Sequence, residues 1–266
     1  MNAHPDLRDC PACGSATVAA LPDLAPEPWH IGGCAECDFV FLRNPVDYTA
    51  LEEKHAWETT YSTEHEAREA KRGMVRRIAR QVRILGYGLR GKRAQVYLKH
   101  LEPGPVLDIG CGDVVRFDAP FTPYGIELSK ALCAKADATM RARGGYCLQG
   151  AGAERIGDWP ENMFSAVLMH SFLEHEVNFP QLLEGCFRVL KPNGRAFIRV
   201  PNFAALNRRI QGANWAGLRH PDHVNYFTPA TLQSVCERTG FQFKLVNRFK
   251  IWLDDNIQAL AIKPAA

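Results

Sequence analysis

Near the middle of the chain an apolar run ends in two glycines, and it reads Val106-Leu107-Asp108-Ile109-Gly110-Cys111-Gly112. The pattern predicts a short buried strand and a tight turn, because glycine lets the backbone pass close to a ligand or to another segment. A dinucleotide fingerprint would need a third glycine three residues beyond Gly112, where Val115 stands. The turn therefore disfavours a nicotinamide cofactor, and by itself it is equally consistent with an ordinary strand-to-helix connection.

The sequence beyond this turn alternates between strand and helix patterns. Ser129 is placed to cap a helix that runs to about Ala142, a helix through Leu182, Leu183 and Phe187 to Leu190 is expected after the fourth strand, and another is expected at 229–239. Pro120 and Pro123 should cut the first helix of the series short. The further predicted strands are 124–127, 146–149, 164–169, 196–200, 241–247 and 257–262. This alternation predicts an open α/β sheet with right-handed crossovers.

Order and spacing of several short segments in this region resemble the motifs of class I S-adenosylmethionine-dependent methyltransferases. The segments are 106–112, 125–129, Ala153-Glu154, the Leu-Glu-His run at 173–175, the turn at 188–194 and the strand end at 200–202. The resemblance covers residues 103–263. It implies a Rossmann-like sheet that is mostly parallel with an antiparallel last strand, and S-adenosylmethionine as the cofactor.

The same resemblance implies roles for individual residues at the cofactor. Asp108, Gly110 and Gly112 would line its methionine end, and Glu127 would accept hydrogen bonds from both ribose hydroxyls. The Ala153 backbone N–H would face the adenine, and His170 would lie beside the cofactor. Gly152 departs from the family pattern, because many relatives carry an aspartate there that binds the adenine amine.

Four of the nine cysteines lie in two C-x-x-C pairs near the amino terminus. Cys10, Cys13, Cys34 and Cys37 have the spacing of a closed tetrahedral zinc site, which is structural because no position remains for water. Gly14 and the Gly32-Gly33 pair are expected to permit tight turns beside them. The alternative is that the four thiols are reduced and bind no metal ion. Such a module resembles those of sugar C-methyltransferases and of some ribosomal RNA guanine methyltransferases.

Histidine is the natural proton acceptor near neutral pH, and three histidines follow the fourth and fifth predicted strands. His175 lies one helical turn beyond the fourth strand. His220 and His223 precede Tyr226 in a segment that resembles the H-x-x-H-x-x-x-F-(S/T) loop of the relatives. We predict His175, His223 and Tyr226 as catalytic residues, with structural, hydrogen-bonded side chains as the alternative for each.

Charge is nearly balanced over the whole chain, with 32 basic and 29 acidic residues and a net charge of +3. The basic residues are nevertheless concentrated between positions 68 and 99. They are Arg68, Lys71, Arg72, Arg76, Arg77, Arg80, Arg83, Arg90, Lys92, Arg93 and Lys99. This segment is either a solvated helix face or a site for phosphate, which arginine binds in a bidentate manner.

The predicted organisation is a zinc-ribbon-like module at 1–45, a basic helical connection at 46–102 and a cofactor-binding methyltransferase domain at 103–266. The ribbon and the sheet are expected to have separate cores.

The predicted activity is methyl transfer to a small, phosphate-bearing acceptor such as a nucleotide sugar. An RNA methyltransferase is the first alternative, and a catalytically degenerate binding module of the same fold is the second. No apolar run is long enough to span a membrane, and a cytoplasmic location is expected. The sequence gives no prediction of oligomeric state.

Overall fold

The structure is a computed structural model, and it describes residues 7–46 and 97–265. The chain forms two compact units, one of Met1–Val46 with Leu101–Ala266 and one of Asp47–His100. Within the second unit the description begins at residue 97, and a short 3-10 helix covers Leu98–His100. The basic helical connection predicted at 46–102 lies, from residue 47 to residue 96, outside the described residues.

The elements of the first unit are numbered here in chain order. The strands are β1 Val18–Ala20, β2 Ile31–Cys34, β3 Val40–Leu42, β4 Gly104–Ile109, β5 Phe121–Glu127, β6 Cys147–Gln149, β7 Phe164–His170, β8 Leu190–Pro201, β9 Asn225–Tyr226, β10 Gln242–Leu245 and β11 Asn256–Ile262. The α-helices are α1 Lys130–Arg141, α2 Gly152–Arg155, α3 Phe179–Val189, α4 Leu206–Gln211 and α5 Pro229–Arg238.

A seven-stranded sheet in the order β10-β11-β8-β7-β4-β5-β6 forms the centre of the fold. Strands β6, β5, β4, β7 and β8 are parallel to one another, whereas β11 is antiparallel to β8 and β10 is antiparallel to β11. The predicted mostly parallel sheet with an antiparallel last strand is therefore confirmed. Because parallel strands end at one edge, residues after β4, β5 and β7 share that edge.

Ser129 caps α1 as predicted, since its side chain accepts a hydrogen bond from the Leu132 backbone N–H at 3.3 Å. The helix expected between β4 and β5 is absent, and residues 110–120 form a loop instead. Proline restricts the residue before it and cannot continue a helix, so Pro120 sets a limit on any helix in this loop but does not itself explain why a short one is absent. Pro123 lies within β5 itself.

A second, antiparallel sheet has the order β1-β2-β3-β9. Its first three strands belong to the cysteine-rich segment, but β9 comes from the loop between β8 and α5. Val40 pairs with Tyr226 and Phe41 pairs with Asn225 in this sheet. The amino-terminal segment is thus joined through backbone hydrogen bonds to the loop that carries the predicted catalytic histidine and tyrosine.

The expectation of separate cores is wrong. Phe39, next to β3, packs against Phe179 of α3 and against Phe227, with ring centroids 5.4 and 5.1 Å apart. All three rings are fully buried, and the same apolar cluster contains Cys10, Cys34 and the central strands β4, β7 and β8. A segment of some forty residues buries too little apolar surface to be stable alone, and here it shares the core of the large sheet.

Among the described residues, none of the helices has both the length and the apolar character needed to cross a membrane. The cytoplasmic location stays a prediction.

Candidate active site and metal centre

The glycine turn follows β4 directly, as the sequence predicts. Gly110 and Gly112 have φ values of +70° and +63°, a left-handed conformation that favours glycine. The Gly110 backbone N–H donates to the Ile126 carbonyl at 2.8 Å, which ties the turn to β5. The backbone of residues 110–112 is therefore held open at the carboxyl edge of the sheet.

Glu127 ends β5 and faces this turn. Its Oε2 accepts a hydrogen bond from the Gly112 backbone N–H at 2.8 Å, and its Oε1 accepts one from the Ser129 N–H at 2.9 Å. Each carboxylate oxygen has a second lone pair, so both remain able to accept a hydroxyl hydrogen. The contacts fix the carboxylate beside the glycine turn, where the predicted ribose would lie.

Asp108 lies under the turn with 1% of its surface exposed. Its Oδ2 is 2.7 Å from Nη1 of Arg116, which the helix-free loop brings back over the strand end. Its Oδ1 is buried without a hydrogen-bond partner among the described residues. Burial raises the pKa of Asp108 to about 6, although Arg116 opposes the shift. The unpartnered oxygen fits a cationic donor such as the amino group of S-adenosylmethionine.

Phe172 occupies the space between the glycine turn and α2. A Cβ on Gly110 would collide with the Phe172 ring, and one on Gly152 would lie 2.8 Å from its Cζ. An aspartate at position 152 therefore does not fit beside this phenylalanine, which gives the departure from the family pattern a steric reason. The predicted adenine contact, the Ala153 N–H, donates here to Oε2 of Glu176 at 3.3 Å.

His170 closes β7 and pairs in register with Arg199 of β8. Burial, together with the positive charges of Arg199 and Arg116, lowers the pKa of His170 to about 4. The imidazole is consequently neutral at pH 7. Its position at the carboxyl edge of the sheet is consistent with the predicted place beside the cofactor.

This pKa gives a testable dependence of stability on pH. The unfolded chain protonates His170 near pH 6.5 and the folded chain only near pH 4, so the free energy of unfolding should fall as the pH drops through that interval. A His170→Gln variant should show a shallower fall, measured by denaturant unfolding at several pH values. Equal slopes in the two proteins would show that His170 is not held neutral by the fold.

The structure brings His175 and His223 together, with ring centroids 4.6 Å apart and ring planes nearly perpendicular. Nδ1 of His175 lies 2.9 Å from the Asp222 carbonyl, and Nδ1 of His223 lies 2.8 Å from the Gly217 carbonyl. A carbonyl only accepts hydrogen bonds, so we assign the proton of each neutral ring to Nδ1 and the lone pair to Nε2. Burial lowers the pKa of His175 to about 4.

Tyr226 lies in β9, and only 3% of its surface is exposed. Its hydroxyl donates to the His223 carbonyl at 2.8 Å and lies 3.1 Å from Nδ1 of His220. His220 in turn places Nε2 3.2 Å from the Leu24 carbonyl. These contacts indicate that Tyr226 and His220 hold the loop in place, while the catalytic role of Tyr226 stays a prediction.

Two carboxylates for which the sequence predicted no role are also buried in this region. Glu174 and Glu176 are each 1% exposed. Glu176 accepts a hydrogen bond from the Asn178 N–H at 2.9 Å and orients the start of α3. The signal that could have revealed Glu174 is the Leu-Glu-His run, where an acidic residue stands next to a buried leucine and a candidate histidine.

The four amino-terminal cysteines converge, with one sulfur from each lying within 4.8 Å of every other. Sγ of Cys10 lies 3.6 Å from that of Cys37, and Sγ of Cys13 lies 3.5 Å from that of Cys34. A tetrahedral zinc ion with Zn–S bonds of about 2.3 Å separates its sulfurs by about 3.8 Å. The cluster is therefore compatible with a four-thiolate zinc site.

The two C-x-x-C turns have the same backbone pattern. The Gly14 N–H donates to the Cys10 carbonyl at 2.7 Å and the Asp38 N–H to the Cys34 carbonyl at 3.0 Å, and both donor residues have positive φ. Burial opposes ionisation of Cys34, yet backbone N–H groups of Glu36 and Cys37 outweigh it and lower the pKa of Cys34 to about 7. Burial raises the pKa of Cys37 to about 11 and also raises that of Cys10, so binding of a zinc ion would have to release protons from these two thiols.

The role expected for the Gly32-Gly33 pair is wrong, because both residues lie in β2 and not in a turn. Gly32 is needed for close approach instead. A Cβ there would collide with Val18 of β1 and would lie 2.8 Å from Cδ of Arg43. Gly32 thus lets the side chains of Val18 and Arg43 lie close to the backbone of β2.

The sheet order, the glycine turn after its first parallel strand and the carboxylate at the end of the next define the class I methyltransferase fold. The sequence matches the family model described as "Methyltransferase domain" over residues 78–245, more than half of the chain. The chain therefore belongs to the methyltransferase-domain family and is an S-adenosylmethionine-dependent methyltransferase.

Solved structures share the fold at low sequence identity. The YcgJ protein of Bacillus subtilis is 15% identical, with 65% of this chain and 98% of that chain covered at a TM-score of 0.51. A SAM-dependent methyltransferase from Archaeoglobus fulgidus is 17% identical, with 64% and 91% covered at a TM-score of 0.52. At these identities the likeness concerns the fold alone. No curated protein matches the sequence.

Proposed function

We propose that this enzyme transfers the methyl group of S-adenosylmethionine to a small, phosphate-bearing acceptor such as a nucleotide sugar. The observation that carries the proposal is the pair of His175 and His223 at the carboxyl edge of the sheet. Phe172, which packs against Gly110, accepts the backbone hydrogen bond of His175 at 2.9 Å. The histidine pair and the glycine turn are therefore connected by one short turn of chain.

The cofactor supplies an electrophilic methyl group on a sulfonium, whose sulfur leaves readily. Asp108, Gly110 and Gly112 would hold its methionine part, Glu127 its ribose, and residues near Ala153 its adenine, with His170 alongside. The unpartnered oxygen of Asp108 and the spare lone pairs of Glu127 support these assignments. The loop over Asp108 would exclude water from the methionine end.

The acceptor side of the reaction asks for orientation and, for a weakly acidic nucleophile, removal of a proton. His175 and His223 are suited to orienting the acceptor, because their Nδ1 atoms are held by carbonyl oxygens and the neutral form of each ring has its lone pair on Nε2. Burial lowers the pKa of His175 to about 4, so this ring is a weak proton acceptor at neutral pH. Tyr226 would act as a positioning residue, since its hydroxyl is bound to the His223 carbonyl.

The phosphate-bearing character of the acceptor is supported by the sequence. The concentration of arginine and lysine between residues 68 and 99 lies almost entirely outside the described residues, so the proposal rests there on composition. A net charge of only +3 favours a compact anion over an extended RNA backbone, which would contact many cations at once.

We also propose that Cys10, Cys13, Cys34 and Cys37 bind one structural zinc ion. Its expected function is to fix the turns that present β3 to the loop of His223 and Tyr226. The backbone pairing of Phe41 with Asn225 supports this arrangement. We further propose the boundaries 1–45, 46–102 and 103–266 for the three parts of the chain, of which the first shares its core with the large sheet.

The acceptor class is testable with the purified enzyme and a panel of nucleoside diphosphate sugars. We expect turnover of S-adenosylmethionine with at least one of them, and only weak RNA binding that is lost at about 150 mM salt. Single alanine substitutions of Arg76, Arg77 and Arg80 should have unequal effects on the acceptor KM, because a compact diphosphate touches few side chains. A tight RNA complex that survives this salt concentration would favour the RNA alternative.

A further inference from the structure

Glu174, His175 and His223 form a second cluster of potential metal ligands, separate from the cysteines. One carboxylate oxygen and one nitrogen of each ring all lie within 4.8 Å of one another. Glu174 and His175 follow β7, whereas His223 precedes β9, so the fold brings the three groups together from two distant segments. The backbone supports the juxtaposition, since the Glu174 carbonyl accepts hydrogen bonds from the N–H groups of Val224 and Asn225 at 2.8 and 3.1 Å.

The two imidazoles have the hydrogen bonds that metal-binding histidines usually have. Such histidines donate the other ring N–H to a carbonyl or carboxylate, which fixes the tautomer and the orientation of the ring. Here Nδ1 of His175 and Nδ1 of His223 each face a backbone carbonyl, 2.9 and 2.8 Å away. Both rings are thereby oriented as neutral groups with the lone pair on Nε2.

The side chain of Glu174 provides a second, independent indication that the cluster suits a cation. The side chain is 1% exposed, and Oε2 has no hydrogen-bond partner within the described part of the chain. A buried carboxylate oxygen without a partner costs free energy, which a bound cation would offset.

The donor atoms decide which kind of cation suits the site. Mg²⁺ prefers oxygen ligands, whereas zinc, cobalt and related divalent ions gain affinity from imidazole nitrogen. Positive charge on Arg219 and Arg199 opposes any cation, and both groups have other partners, since Arg219 is paired with Asp222 at 3.0 Å and Arg199 donates to Ser171 at 2.6 Å.

We propose that Glu174, His175 and His223 bind one divalent transition-metal ion. Three protein ligands leave at least one coordination position open, as in catalytic and not structural sites. His175 is the only partly exposed member of the three, and it marks the side from which a ligand has access. The ion would bind and orient an oxygen atom of the acceptor. This role of the ion rests on the proposed methyl transfer, but the proposal that the ion binds is independent of it.

The test uses the full-length protein with zinc already bound at the cysteines and unbound metal removed. Cobalt(II) is then titrated and followed by its absorption, because sulfur ligands give an intense charge-transfer band that nitrogen and oxygen ligands lack. We expect one additional equivalent of cobalt to bind without the sulfur band. Glu174→Gln and His175→Gln should each weaken this binding at least tenfold.

Two controls separate loss of a ligand from loss of the fold. His30→Gln changes a histidine outside the cluster and should leave cobalt binding unchanged. Glu174→Gln preserves the shape of the side chain, and it should retain zinc at the cysteines and bind S-adenosylmethionine as the wild type does. Absence of an additional equivalent in the wild type, or equal binding by wild type and both cluster variants, would overturn the proposal.

Metal binding and methyl transfer are distinguishable in this design. Methyl transfer without cobalt binding would overturn the metal site and leave the histidines as direct proton acceptors. Cobalt binding that the cluster variants weaken, without turnover of any nucleotide sugar, would support the metal site and count against the proposed acceptor.

Discussion

Replacement of Glu127 by alanine is expected to weaken binding of S-adenosylmethionine at least tenfold. The variant loses the acceptor for two ribose hydroxyls, and a hydrogen bond to a charged group contributes roughly 1.5–3 kcal/mol, where about 1.4 kcal/mol corresponds to a factor of ten. The same carboxylate also accepts the N–H groups of Gly112 and Ser129, so the glycine turn loses its anchor. Isothermal titration calorimetry measures the change.

A matched control distinguishes the site from a general effect of removing a carboxylate. Glu184→Ala alters an exposed glutamate on α3 and should leave the dissociation constant unchanged. Glu127→Gln retains an oxygen acceptor and should fall between the wild type and alanine. Unchanged affinity in Glu127→Ala would place the cofactor elsewhere on the protein.

Replacement of Cys34 by serine is expected to remove the zinc and to destabilise the whole described unit. Zinc content should fall from about one equivalent to a few tenths or less, because a four-thiolate site needs every ligand. Loss of a structural metal from a buried cluster is a severe change, of about 3 kcal/mol or more. The thermal midpoint should then fall by roughly 6–12 °C. Elemental analysis and calorimetry measure the two effects.

We expect the amino-terminal segment and the large sheet to lose stability together, because Phe39 packs against Phe179 and Phe227. A module with its own core would loosen alone and leave the large sheet intact. Cys133→Ser is the appropriate control, since Cys133 is buried in a different cluster on α1 and should leave zinc unchanged. A Cys34→Ser protein that keeps its zinc, or that keeps the wild-type midpoint without it, would contradict this view.

The sequence determined the parts of the molecule that depend on short-range pattern. The run from Val106 to Gly112 predicted β4 and the turn after it, because the burial of apolar residues and the conformational freedom of glycine act locally. Ser129 gave the start of α1 for the same reason, through a hydrogen bond to a residue three positions away. The C-x-x-C spacing likewise encoded the tight turn within each cysteine pair, in which the N–H groups of Gly14 and Asp38 bind the carbonyls of Cys10 and Cys34.

Contacts between distant segments were decided only by the tertiary structure. Nothing local to Tyr226 indicates that it pairs with Val40, or that Gly152 must be small because Phe172 lies above it. Glu174 and His223 are 49 positions apart in the chain, and their proximity depends on how the loop before β9 returns to β7. Such contacts depend on burial and packing summed over the whole core, and periodicity along the chain carries no information about which buried surfaces will meet.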